Sequence, residues 1–281
     1  MLKRGLSLSA ALICFAFSTS AQTLVRVWAS DAVFRVPESV NYNPAKDVLI
    51  VSNINGKPSA KDGNGFLSLL TTDGKLLNLH WVDGLNAPKG AALVGNRLYV
   101  ADIDRVVVVN VDRGSIVKRI PLPGAQFLND VAADKHGTVY VSDTSSKNSA
   151  IYRLKDDRPE VWLRSPTVRN PNGLAVEGNT LYVGNTGTKA LLRVDLRNGQ
   201  VTVVASVGFG IDGLKPVGDG DFLLSDWLGN VFLLGPGGNL VHLLKPAHKN
   251  LNAADIEYLP DRKLLLIPTF FDNRVVAYRL R

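Results

Sequence analysis

The sequence predicts an all-β protein, a six-bladed β-propeller. Three observations carry this expectation. One short phrase (polar turn, strand, tight turn, second strand) recurs six times at a period of about 40 residues. Gly, Asn or Asp turns separate the apolar runs, the chemistry of hairpins. Beyond the first 21 residues no stretch sustains the 3.6-residue period of a helix. Strand repeats of this length signal propeller blades, whereas solenoid repeats of the same length are mostly helical.

The fourth copy spells the phrase most fully. It runs Asn170-Pro171-Asn172-Gly173-Leu174-Ala175-Val176, turns at Asn179, and continues Thr180-Leu181-Tyr182-Val183-Gly184-Asn185. Laid on one another, the copies lead with Glu38, Lys89, Asn129, Asn172, Asp212 and Ala254, spaced 51, 40, 43, 40 and 42 residues apart. The second strands align as well: Val48–Asn53, Arg97–Asp102, Thr138–Asp143, Thr180–Asn185, Asp221–Asp226 and a degenerate Lys263–Pro268. The longer first interval holds a polar, glycine-rich insertion, Asn53–Gly65. It reads either as a lid over the site or as a mobile loop without a role.

Residues 1–21 read as an export signal. Lys3 and Arg4 precede the apolar run Leu6–Phe17, too short to span a bilayer, and Thr19-Ser20-Ala21 offers small residues for cleavage. The remaining residues, 22–281, form one propeller domain. The single cysteine, Cys14, falls within the leader, so the mature chain is expected to have no disulfide. A periplasmic or secreted monomer without a membrane anchor follows. The formal charge is +7, but the basic residues are scattered, in pairs at most, and form no stripe suited to nucleic acid.

Thr23–Ala29 alternates like a strand, while the last copy offers only three: around Ile256–Tyr258, Leu264–Ile267 and Arg274–Leu280. The N-terminal strand is therefore expected to complete the last blade and close the ring.

In a propeller the inner strand of each blade lines the central channel, so its lead residue lies at one mouth. Glu38, Asn129, Asn172 and Asp212 should ring that mouth, with Asn53, Asp102, Asp143, Asn185 and Asp226 close to the same face. Two carboxylates and two amides are hard oxygen donors. They suit calcium, magnesium or manganese, and zinc less well. The same residues are also ordinary turn formers, which need bind nothing.

Other chemistry is sparse. His80, His136, His242 and His248 show no ligand spacing. Gly235-Pro236-Gly237-Gly238 lacks the Lys-Ser/Thr of a phosphate loop and reads as a hairpin turn. Trp28, Trp81, Trp162 and Trp227 read as packing between blades, Trp227 standing near the expected mouth.

The phrases Pro37-Glu38-Ser39-Val40, Asn129-Asp130-Val131-Ala132, Pro171-Asn172-Gly173-Leu174-Ala175 and Ile211-Asp212-Gly213-Leu214 resemble the SMP-30/gluconolactonase/LRE-like family, the regucalcin-type lactonases. The resemblance implies a divalent metal, calcium first, held by Glu38, Asn172 and Asp212. It implies substrate contact by Asn129 and a general-base role for Asp212. The sugar lactonases carry an arginine two residues before the Asn-Asp pair; here that residue is Phe127, which would make the pocket more apolar. Ser39-Val40 likewise departs from the Gly-Pro that often follows the first ligand. The function so implied is metal-dependent hydrolysis of a lactone or ester. A non-catalytic propeller binding a small ligand or a protein in the periplasm is the alternative, and an NHL-type interaction propeller without metal is a third.

Overall fold

The computed structural model describes residues 22–246 and 251–281. The leader read at residues 1–21 lies outside them, as does His248. The described residues form six four-stranded antiparallel sheets, one for each repeat. Inner strands run Pro37–Asn43, Pro88–Val94, Leu128–Ala133, Pro171–Glu177, Ile211–Gly218 and Glu257–Leu259. Each contacts its neighbours around a closed ring, the sixth meeting both the fifth and the first.

Closure occurs as the sequence predicts. Leu24–Ala29 pairs antiparallel with the C-terminal strand Val275–Leu280, Leu24 opposite Leu280 and Ala29 opposite Val276. The sixth blade is thus built from both ends of the described chain, the N-terminal strand supplying its outermost strand.

Apolar side chains lie on both faces of the sheets, and among the described residues the core consists of six seams between adjacent blades and a smaller cluster of Ile54, Ala87, Ile103, Ala254 and Phe270. One seam joins Val40, Leu49, Val51 and Leu70 of the first blade to Leu264, Leu266, Val275 and Ala277 of the sixth. Another joins Ala132, Tyr140 and Ile151 of the third to Leu181, Val183 and Leu192 of the fourth. Trp28, Trp81 and Trp162 pack against these seams, as expected. Gly235 and Asn239 close the Gly235–Gly238 hairpin turn.

Five inner strands open with a break in register. The skipped positions lie between Pro37 and Ser39, Pro88 and Ala91, Leu128 and Val131, Pro171 and Leu174, and Ile211 and Leu214. They contain Glu38, Lys89, Asn129, Asn172 and Asp212. A bulge lifts a residue out of the ladder and re-aims its side chain. The lead residues of five blades are therefore presented by one repeated backbone device. Glycine follows three of them for steric reasons. A Cβ on Gly213 would lie 2.6 Å from the Ile256 backbone nitrogen, and one on Gly173 would collide with the Asp212 carbonyl oxygen.

The polar ends of the second strands hold these openings in place. Asp143 accepts from the backbone N–H groups of Gln126, Phe127 and Ser145 at 3.0, 3.0 and 3.1 Å. Asp102 accepts from Asn86 and Ala87 N–H, and Asn53 from Arg35 N–H. These side chains clamp the connections that carry the lead residues rather than facing the channel mouth. Of the group, Asp226 also lines the central cavity.

Candidate functional site

At the mouth of the channel lies a cavity of about 660 Å³. Glu38, Phe127, Asn129, Asn172 and Asp212, the residues singled out from the sequence, all line it. They arrive from four blades, which is why neighbours in space stand tens of residues apart in the chain.

The polar floor is buried: Glu38, Asn129, Asn172 and Asp212 are 5%, 6%, 8% and 7% exposed. Asn172 Nδ2 donates to Asp212 Oδ1 at 2.8 Å. Three acceptor oxygens, Glu38 Oε2, Asn129 Oδ1 and Asn172 Oδ1, are buried without a hydrogen-bond partner among the described residues. Buried polar atoms are normally paired, and orphaned acceptors clustered at one site call for a ligand. Among the described residues no three His, Cys, Asp or Glu side chains gather as a metal centre. The oxygens here come from two carboxylates and two amides, a hard donor set that fits an alkaline-earth cation.

Burial dominates the electrostatics. It pushes the Glu38 carboxyl well above the usual range, and Asp212 and Asp130 push it the same way, while Lys89 pulls it down. Asp212 is pushed up to about 7 by burial, the Asn172 hydrogen bond opposing and Asp130 and Asp226 adding to the rise. A cation among these groups would favour their charged forms.

Sequence reasoning gave Lys89 a lead position but no role. It is 1% exposed, lines the cavity, and its Nζ donates to the backbone oxygens of Pro58 and Ala87 at 3.0 and 3.1 Å. The ammonium lies 4.6 Å from the centre of the Phe127 ring. Burial lowers its pKa to about 8 against the attraction of Glu38 and Asp102. Asp130 and Asp255 were also missed. Both are buried, and Asp255 N–H donates to the Glu38 carbonyl at 2.9 Å. The signal for Lys89 was its place in the repeat register; Asp255 adjoins the degenerate lead residue Ala254.

The Asn53–Gly65 insertion lies on this face. Ile54 and Pro58 form part of the cavity wall. Lys89 holds Pro58, Asn86 Oδ1 accepts from Gly63 N–H at 3.2 Å, and Lys61 pairs with Asp104 at 2.5 Å. The insertion forms part of the wall and is hydrogen-bonded to the residues that open and follow the second blade's inner strand. Trp227 of the fifth blade lines the wall and also packs against Phe270 of the sixth.

The family model described as SMP-30/Gluconolactonase/LRE-like region matches residues 37–257. The chain belongs to the SMP-30/gluconolactonase/LRE-like family. The matched span covers five whole blades and the start of the sixth, with Glu38, Lys89, Asn129, Asn172 and Asp212 all inside it. Among curated proteins, Antigen Lp49 of Leptospira interrogans serogroup Icterohaemorrhagiae serovar copenhageni (strain Fiocruz L1-130) is 23% identical over 252 residues, which is 85% of this chain and 46% of that protein. The chain thus spans about half the length of this relative. A crystal structure provisionally described as a gluconolactonase superposes with a TM-score of 0.70 at 19% identity, covering 93% of each chain. A chain of a nidogen/laminin complex superposes with a TM-score of 0.61 at 17% identity, over 72% of this chain and 76% of that one. At these identities the two structures establish the propeller fold.

Proposed function

We propose that the protein is an exported, metal-dependent hydrolase that opens a lactone or cleaves an ester. The carrying observation is the trio of unpaired buried acceptor oxygens beside Asp212 at the floor of one cavity. Family membership supports the reading. Glu38, Asn172 and Asp212 would hold one divalent cation, calcium on donor hardness, with magnesium, manganese or zinc as other fits. Bound there, the cation would polarise the substrate carbonyl as a Lewis acid.

The chain's own residues supply the rest. Asn172 fixes the Asp212 carboxylate through its amide N–H. Asp212 takes a proton from water as the water oxygen adds to the carbonyl carbon. The bond to the alkoxy oxygen then breaks, and the proton passes to that oxygen, giving an acid and an alcohol. Asn129 orients the carbonyl, and Phe127 packs against the substrate. Lys89 helps keep Glu38 ionised. The leader at residues 1–21 would carry the protein to the periplasm or beyond, where it acts as a monomer. No helix among the described residues is long and apolar enough to cross a membrane.

The apolar mouth around Trp227 favours a second reading, a propeller that holds a small ligand without turnover. A pH-stat assay against a panel of lactones and esters, with calcium and with chelator, separates the two. Chelator-sensitive acid release, lost in Asp212→Asn, supports the hydrolase. Binding without acid release supports the module.

A further inference from the structure

The cavity has a polar floor and a largely apolar wall. The apolar part of its wall includes Ile54 and Pro58 of the insertion, Phe127, Phe209, Trp227 and Phe270. They come from four of the six blades, so the apolar lining is not the by-product of one segment. The aromatic part is braced. Trp227 meets Phe270 edge-on with centroids 4.6 Å apart, and Phe209 stacks on Phe232 at 4.2 Å. At the rim Trp227 is 44% exposed and its neighbour Leu228 68%. Large apolar side chains held open beside a cavity mark a binding surface for apolar matter.

Most polar side chains of the wall are already engaged, Lys189 being exposed at its edge. Thr144 Oγ1 donates to the Pro171 carbonyl at 2.6 Å, and Thr186 Oγ1 to that of Ile211 at 3.4 Å. Asp226 accepts both the backbone and side-chain N–H of Asn230, and two of the three Lys89 donors are bonded to carbonyls. A polyhydroxylated ring would bury several hydroxyls against phenyl and indole faces. Each one left unpaired costs about tenfold or more in affinity.

Resting on the hydrolase reading of this site, we infer that its substrate class is a lipophilic lactone or ester. The carbonyl lies on the polar floor and an alkyl or aryl chain runs along Phe127 towards Phe209 and Trp227. A sugar lactone is the wrong shape of polarity for this wall.

The test uses the full mature protein loaded with calcium. Hydrolysis is measured for γ-lactones from butyrolactone to undecalactone, for p-nitrophenyl esters from acetate to octanoate, and for glucono-δ-lactone. Binding of hexanol, octanol and decanol, which cannot be hydrolysed, is followed by calorimetry. The expected result is a rise in kcat/KM of about fourfold per added methylene until the wall is covered, flattened in Phe127→Ser and in Trp227→Ala, with gluconolactone at least about a hundredfold poorer than decalactone. A flat chain-length series, or a preference for gluconolactone, overturns the inference and leaves the hydrolase standing. If nothing is hydrolysed but alkanol affinity rises with length and falls in Phe127→Ser, the ligand class holds and the hydrolase reading fails. Absence of both turnover and alkanol binding overturns the inference outright.

Discussion

Asn172 and Asp212 stand 40 residues apart in sequence, yet Asn172 Nδ2 donates to Asp212 Oδ1 at 2.8 Å. Both occupy the same bulge position in successive blades. The bond fixes the amide so that Asn172 Oδ1 is left free, and it orients the carboxylate proposed as base. Asp212→Asn should lower turnover by at least about a hundredfold, the usual loss on removing a general base, with circular dichroism unchanged. Activity equal to wild type would remove Asp212 from the mechanism.

Stability of the chelated protein should fall as pH rises. Burial places the folded-state Asp212 pKa at about 7, above the ordinary 3.8. Between those values the folded chain holds a proton that the unfolded chain has released, so folding is favoured by acid across that window and loses this contribution as pH passes 7. Glu38 and Asp255 are shifted in the same direction. Calcium binds the ionised carboxylates, so its stabilising effect should be larger at pH 8 than at pH 5. Thermal melts with and without calcium at both values check this. A calcium-induced shift that is larger at pH 5 would contradict it.

Asp143 carries three backbone N–H groups that position Phe127 and Asn129. Asp143→Ala strands buried donors and should cost about 2–4 kcal/mol, measured by urea denaturation. A cost below about 0.5 kcal/mol, typical of surface sites, would show that the clamp is not structural.

Deleting residues 22–30 removes the closing strand and the Trp28 packing at the seam between the first and sixth blades. The melting midpoint should drop by roughly 10 °C or more, at about 2–4 °C per kcal/mol for a domain of this size. An unchanged melt would refute closure by this strand.

The blades were legible because strand alternation and turn residues are local signals, repeated often enough to align. Glu38, Asn129, Asn172 and Asp212 were legible because the repeat fixes their register, and the register fixes the mouth. Lys89 shares that register, but a lysine in a turn ordinarily reads as solvated; only the bulge and the cover of the insertion turn it inward. Phe209, Trp227 and Phe270 lie on connections outside the repeated phrase, where no period reports which way a side chain faces. Asp143 and Asp102 looked like site residues because a backbone clamp and a ligand draw on the same polar side chains.

The central claim is the cation site. Metal content of the purified mature protein, followed by calorimetric titration of the chelated form with calcium in wild type and Glu38→Gln, tests it most directly. Stoichiometric binding in wild type that the variant loses is the expected result. No bound metal and no heat on titration in wild type would contradict the account, and would leave an apolar binding propeller in place of a hydrolase.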